Sequence, residues 1–203
     1  MSEAKIRLSQ NELELINNAD FILTKNAILK KVNQLLAGLQ FKQQQYAERC
    51  SSRLPDKIFR STPKISKGEN YRGLPYLILD YPKCFEQENI FAIRTMFWWG
   101  NFFSITLHLS GINKKEAEGK LIASFNILKE KQYLYCINNN QWEHHFERGN
   151  YILLRELNKV DFENAVRDKY FIKLANKFPL QQWDEAEQIL LDCFKEIIEI
   201  LAD

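Results

Sequence analysis

Two β-rich runs, Ile90 to Trp99 and Phe102 to Ser110, flank the dipeptide Gly100-Asn101, and this arrangement leaves few folds open to the chain. A Gly-Asn step between strands signals a tight hairpin, because glycine takes the positive φ that such turns require. Read as a two-residue loop, it pairs Trp99 with Phe102, Trp98 with Phe103, Met96 with Ile105, Arg94 with Leu107 and Ala92 with Leu109. Side chains alternate along a strand, so Trp98, Met96, Arg94 and Ala92 would share one face with Phe103, Ile105, Leu107 and Leu109. That face is the expected core, with Trp98 anchored in it. The opposite face then carries Thr95, Ser104, Thr106 and His108, walled by Phe97, Trp99 and Phe102.

Helical signals bracket the hairpin. Ser9-Gln10-Asn11-Glu12 forms a capping box, in which hydroxyl and carboxylate satisfy each other's orphan amides, and it starts a short helix to about Asn18. A second helix begins between Asp20 and Thr24. Its Ile28, Val32, Leu35, Leu36 and Leu39 recur at three-and-four spacing, and it runs toward Cys50 past Gly38, a residue that weakens an unbroken rod. Between Ser51 and Tyr71 the periodicity is lost and Pro55 and Pro63 punctuate, which reads as a long connection. Leu74 to Tyr81 reads as a strand ended by Pro82, with room for one helical turn over 82–88. A helix over 113–129, strands over 132–137, 142–146 and 151–154, and a helix from Asp161 to about Lys169 follow. The last helix, 180–201, sets Trp183, Ala186, Leu190, Cys193, Phe194, Ile197 and Leu201 along one side.

Helices around a strand-rich middle argue for an α+β fold, a central antiparallel sheet built around the 90–110 β-hairpin and packed by N-terminal and C-terminal helices. With 203 residues and 45% hydrophobic composition the chain can bury one sizeable core. The expected layout is a single domain over 1–203: helical 9–50, a basic loop 51–72, a strand-rich stretch 73–155 and C-terminal helices 160–201.

Charge and motifs narrow the function classes. The 28 basic and 26 acidic residues leave a net charge of +2, too small a field to draw the whole molecule to nucleic acid or an anionic membrane. The run from Ile90 to Leu109 is interrupted by Arg94, Asn101 and His108, so it reads as a hairpin rather than a membrane span. Four cysteines without Cys-x-x-Cys spacing argue against a zinc site or a disulfide framework. They read as small buried hydrophobes in a reducing compartment. With no apolar segment behind Met1, a cytoplasmic protein is expected. Gly-rich phosphate loops, Gly-x-Ser-x-Gly elbows and His-Glu-x-x-His helices are missing from the sequence, so neither a cofactor nor a metal is expected.

Four constellations remain. Trp142-Glu143-His144-His145-Phe146-Glu147 concentrates two histidines and two carboxylates, but on a strand His144 and His145 point apart while Glu143, His145 and Glu147 share a side. That spacing favours an exposed polar strand end over a metal site. Arg94, placed on the apolar face, must be paired or reach water, either at an edge position where its stem lies on apolar surface and its head snorkels out or through a partner carboxylate from a helix. Alternatively its fork of donors recognises an anion. Thr95, Ser104, Thr106 and His108 mix donors with aromatic walls as ligand pockets do. Finally, residues 42–72 hold eight basic residues against three acidic ones, with Arg53, Lys57 and Arg60 as the contacts a nucleic acid would use.

The leading expectation is a non-enzymatic cytoplasmic binding or accessory domain. One alternative is an enzyme or binder acting on a small anionic ligand, with Arg94 as the clamp and His108 or His145 as acid/base. The other is weak nucleic-acid binding through 42–72, which the nearly balanced overall charge disfavours.

Overall fold

The computed structural model describes residues 6–50, 52–53, 61–86 and 88–202. Its architecture is α+β, with helices on one face of a seven-stranded antiparallel sheet. Helices α1 (Gln10–Asn17) and α2 (Ala19–Arg49) precede strands β1 (Lys64–Tyr71), β2 (Leu74–Glu86), β3 (Asn89–Trp98) and β4 (Phe102–Ser110). Then come α3 (Gly111–Ala123), α4 (Phe125–Glu130), β5 (Leu134–Cys136), β6 (Tyr151–Leu153), α5 (Lys159–Asp168), β7 (Phe171–Pro179) and α6 (Ala186–Ala202). The strand order is β1-β2-β3-β4-β7-β5-β6, so β7 inserts between the hairpin and β5. Among the described residues no helix is long and apolar enough to cross a membrane.

Local signals explain the helices. The Ser9 box forms as expected, with the Ser9 hydroxyl accepting from the Glu12 amide and the Glu12 carboxylate accepting from the Ser9 amide. The α2 helix runs unbroken for 31 residues through Gly38 and buries Leu29, Val32, Leu36 and Leu39. Gly38 is tolerated for a packing reason: a Cβ there would lie 2.8 Å from the Glu187 carboxylate of α6. The α5 helix is capped by Asn158, which accepts from the Asp161 amide, rather than by Asp161 itself.

The hairpin forms, but with a three-residue loop. Trp98 pairs with Phe102, Phe97 with Phe103, Thr95 with Ile105, Arg94 with Thr106 and Ala92 with His108. Against the two-residue reading this is a slip of one residue, and with a side-chain period of two such a slip exchanges the faces of one strand relative to the other. The core face therefore carries Phe91, Ile93, Phe97, Phe103, Ile105, Leu107 and Leu109, packed against α2, α3 and α6. Arg94, Met96 and Trp98 lie on the second face, and Trp98 is buried there in a smaller cluster with Ile78 and Met96. Gly100 has φ 70, and a Cβ there would meet nothing within 4 Å. The penalty for a side chain is thus conformational. Gly100→Val is expected to cost more than about 1 kcal/mol, because a β-branched residue resists that φ. An unchanged melting temperature would contradict it.

Other expectations are corrected. Lys64–Tyr71, read as part of the basic loop 51–72, is the edge strand β1. β2 continues through Pro82 to Glu86, where a strand end and a helical turn were expected. The helix over 113–129 is two helices meeting at Ser124. The 142–146 strand does not form: residues 137–150 are an irregular strap across the second face of the sheet. β7 was not anticipated, and it is the interior strand that joins β4 to β5.

Candidate functional site

The second face of the sheet is polar where the strap crosses it. Asp80, Arg94 and Thr106 are cross-strand neighbours in one row of β2, β3 and β4, and Ala92, His108 and Lys173 form the next row. Two apolar clusters flank these rows, Ile78 with Met96 and Trp98 on one side and Leu134 with Cys136, Tyr151 and Phe171 on the other. The slipped register thus merges what sequence reading had separated, bringing Arg94 onto the same face as Ser104, Thr106 and His108. Thr95 is the exception. It is fully buried on the core face, and its hydroxyl has no partner among the described residues.

Arg94 is held by the neighbouring strand, not by a helix. Its Nε lies 2.7 Å and its Nη2 2.9 Å from the two oxygens of Asp80, a bidentate pair. Asp80 is 6% exposed, so the pair is nearly out of water. The third contact is Arg94 Nη1 to His144 Nε2 at 3.0 Å. A guanidinium can only donate, so His144 Nε2 accepts and its proton sits on Nδ1. His108 Nε2 is 3.0 Å from the Gln141 carbonyl oxygen, which places the His108 proton on Nε2. Burial first, and then nearby cations, push both imidazoles far below the usual value of 6.5. His108, beside Lys173, falls to about 3 and His144, beside Arg94, to about 2.

Lys173 completes the centre. It is 1% exposed, donates to the carbonyl oxygens of Gln141 and Glu143, and lies over the Tyr151 ring at 5.4 Å. Burial lowers its amine from 10.5 to about 8. These bonds also hold the strap down. Tyr71 adds two more by accepting from the amides of His144 and His145 at 2.8 and 3.1 Å, and Arg72 pairs with Glu147. Phe146 packs on Phe102 and Tyr151. An open cleft of about 390 Å³ reaches the outer edge of the Asp80–Arg94 pair between Tyr71, Tyr76 and Trp142. Inside, under the strap, lies a void of about 10 Å³ lined by Arg94, Thr106, His108, His144 and Lys173 with Phe85 and Ala92. Ser104 sits a row away, between Met96 and Lys177.

The histidine that meets Arg94 is therefore His144, not His108 or His145. His145 turns away, 3.6 Å from Glu143 and 3.8 Å from Glu147, although the segment is not the strand on which those three were expected to share a side. Among the described residues no group of three or more His, Cys, Asp and Glu could hold a metal ion.

Among the described residues, four basic residues of the segment pair with carboxylates, Arg72 on Glu147 being one. Arg53 forks onto Glu199 of α6 at 2.8 and 2.9 Å, Lys42 meets Glu187 at 3.1 Å, and Lys67 meets Glu69 at 2.8 Å. Lys57 and Arg60 lie outside the described residues. No protein-family model, curated protein or solved structure matches this chain.

Proposed function

We propose that the protein is a non-enzymatic binding domain that docks a protein partner along its N-terminal helical arm. The observation that carries this is α1, which buries none of its residues. Leu13, Leu15 and Ile16 on α1, and Phe21, Ile22 and Leu23 at the start of α2, are 41% to 67% exposed. Large apolar side chains grouped in this way on a surface mark interaction sites. The arm is also well built, since Ser9 caps α1, Asn18 caps α2, and α2 runs on into the core. A rigid helix offering apolar residues three and four apart suits helix-in-groove recognition.

The polar centre supports the non-enzymatic half of this reading. Asp80 takes two of the three Arg94 guanidinium nitrogens and His144 the third, and both buried imidazoles have their protons placed by existing hydrogen bonds. The void beside Lys173, about 10 Å³, has room for one water-sized guest and excludes an organic substrate.

A photo-crosslinking residue placed at Ile16 or Leu23 in cells tests the arm, with exposed Ile127 as the control position. A discrete adduct of one mass is expected at the two arm positions and none at Ile127. Equal ladders at all three, or no adduct at the arm, would refute the proposal. With the crosslinker kept in place, Leu13→Ser with Phe21→Ser, both on the exposed arm, should abolish the adduct while changing stability by less than about 0.5 kcal/mol, as exposed substitutions do.

A further inference from the structure

We infer that the void under the strap is a binding site for one monoatomic anion of the halide class. The charges around it do not balance. Arg94 and Lys173 bring two cations, and Asp80, on the far side of the guanidinium, brings one carboxylate. The two histidines are neutral, so the buried centre holds a net positive charge. Lys173 makes no ion pair among the described residues; the groups it bonds are carbonyl oxygens. Glu143 acts on it from a distance, because the Glu143 side chain is turned to Tyr71 and His145 and is one-third exposed. A buried charge without a counter-charge is costly, and an anion in the void removes that cost.

The lining fits such an occupant. An ammonium has three donors and Lys173 commits two; a guanidinium has five and Arg94 commits three. His144 keeps a proton on Nδ1, since its Nε2 accepts from Arg94. Phe85 and Ala92 close the remaining walls with apolar surface and offer no acceptor. The acceptors in the wall are His108 Nδ1 and the Thr106 hydroxyl, which can also donate, so donors outnumber acceptors and the wall is positive. Size sets the class: about 10 Å³ takes a single-centre guest and rejects carboxylate, phosphate and sulfate. The ion would also brace the strap, because Lys173 and Arg94 are the residues that hold it from below.

Thermal unfolding at pH 7 in sodium chloride or bromide, against sodium gluconate at equal ionic strength, tests the site. The midpoint should rise by roughly 3–6 °C for each tenfold increase in halide above the dissociation constant. Lys173→Met should abolish the halide dependence. If that variant fails to fold, bromide-soaked crystals of the unaltered protein give an independent readout, with an anomalous peak expected in the void. A midpoint that follows ionic strength alone, a water in place of the peak, or a peak without halide-dependent stability would each overturn the inference.

Discussion

Lowering the pH from 7 to 5 is expected to remove on the order of 4 kcal/mol of stability through two buried histidines. His108 and His144 are held neutral in the fold, at about 3 and about 2, whereas in the unfolded chain each titrates near 6.5. Between those values the unfolded state binds more protons, so stability falls as the pH falls through that window. Full stability is present above pH 6.5. At pH 5, one and a half units below the unfolded value, each histidine costs about 2 kcal/mol. The lowered carboxyls, such as Glu69 and Glu199, contribute stability that is present above their ordinary 4.5 and is lost only as the pH falls below it. Lys173 acts in a separate window, where stability rises between its folded value of about 8 and 10.5. A loss of this size approaches the whole stability of an ordinary domain, about 5–15 kcal/mol. Urea unfolding at pH 7, 6 and 5 measures it, and His108→Gln with His144→Gln should flatten the profile. A parent curve already flat between pH 7 and 5 would mean that water reaches both rings.

How much of this was legible depends on whether the signal was local. The Ser9 box, the α2 stripe and the positive φ of Gly100 are each set by residues within a turn of one another, and each is found. Register is not local. Gly100-Asn101 is compatible with a two-residue or a three-residue loop, and the one-residue difference decides whether Arg94 sits opposite Leu107 or Thr106. β1 was hidden because it is an edge strand with one polar side, so Lys64 to Tyr71 shows no apolar run. β7 was hidden by Lys173 and Lys177, which look like surface residues. The alternation of Phe171, Lys173 and Ala175 with Ile172 and Leu174 was the available clue, and it makes sense only once the strap covers the Lys173 side. Asp80 could have been suspected as a lone carboxylate in the apolar run Leu74 to Tyr81. The strap had no sequence signal, since its order comes from side chains far away along the chain, Tyr71 and Lys173 above all.

The Asp80–Arg94 pair should show the largest single-site effect in the molecule. Asp80→Ala is expected to destabilise by about 3–5 kcal/mol, because it leaves a guanidinium only 16% exposed with no carboxylate partner. Arg94→Met alone should also be costly, since it strands the Asp80 carboxylate at 8% side-chain exposure and removes the donor to His144 Nε2. The double variant is the informative one. With both charges gone, methionine can fill the guanidinium's volume, as its flexible thioether packs irregular gaps, and the Asp80–Arg94 row extends the apolar Ile78–Met96 row beside it. Replacing a buried pair by apolar residues is often close to neutral, so the double variant should recover most of what either single change loses. The resulting coupling energy of up to about 3 kcal/mol belongs to the pair and to the His144 bond it positions. Urea unfolding of the parent and the three variants at pH 7 closes the cycle. If Asp80→Ala costs less than about 1 kcal/mol, or if the two single losses simply add, Arg94 is solvated through the open cleft beside Tyr76 and the pair does not organise the sheet's second face.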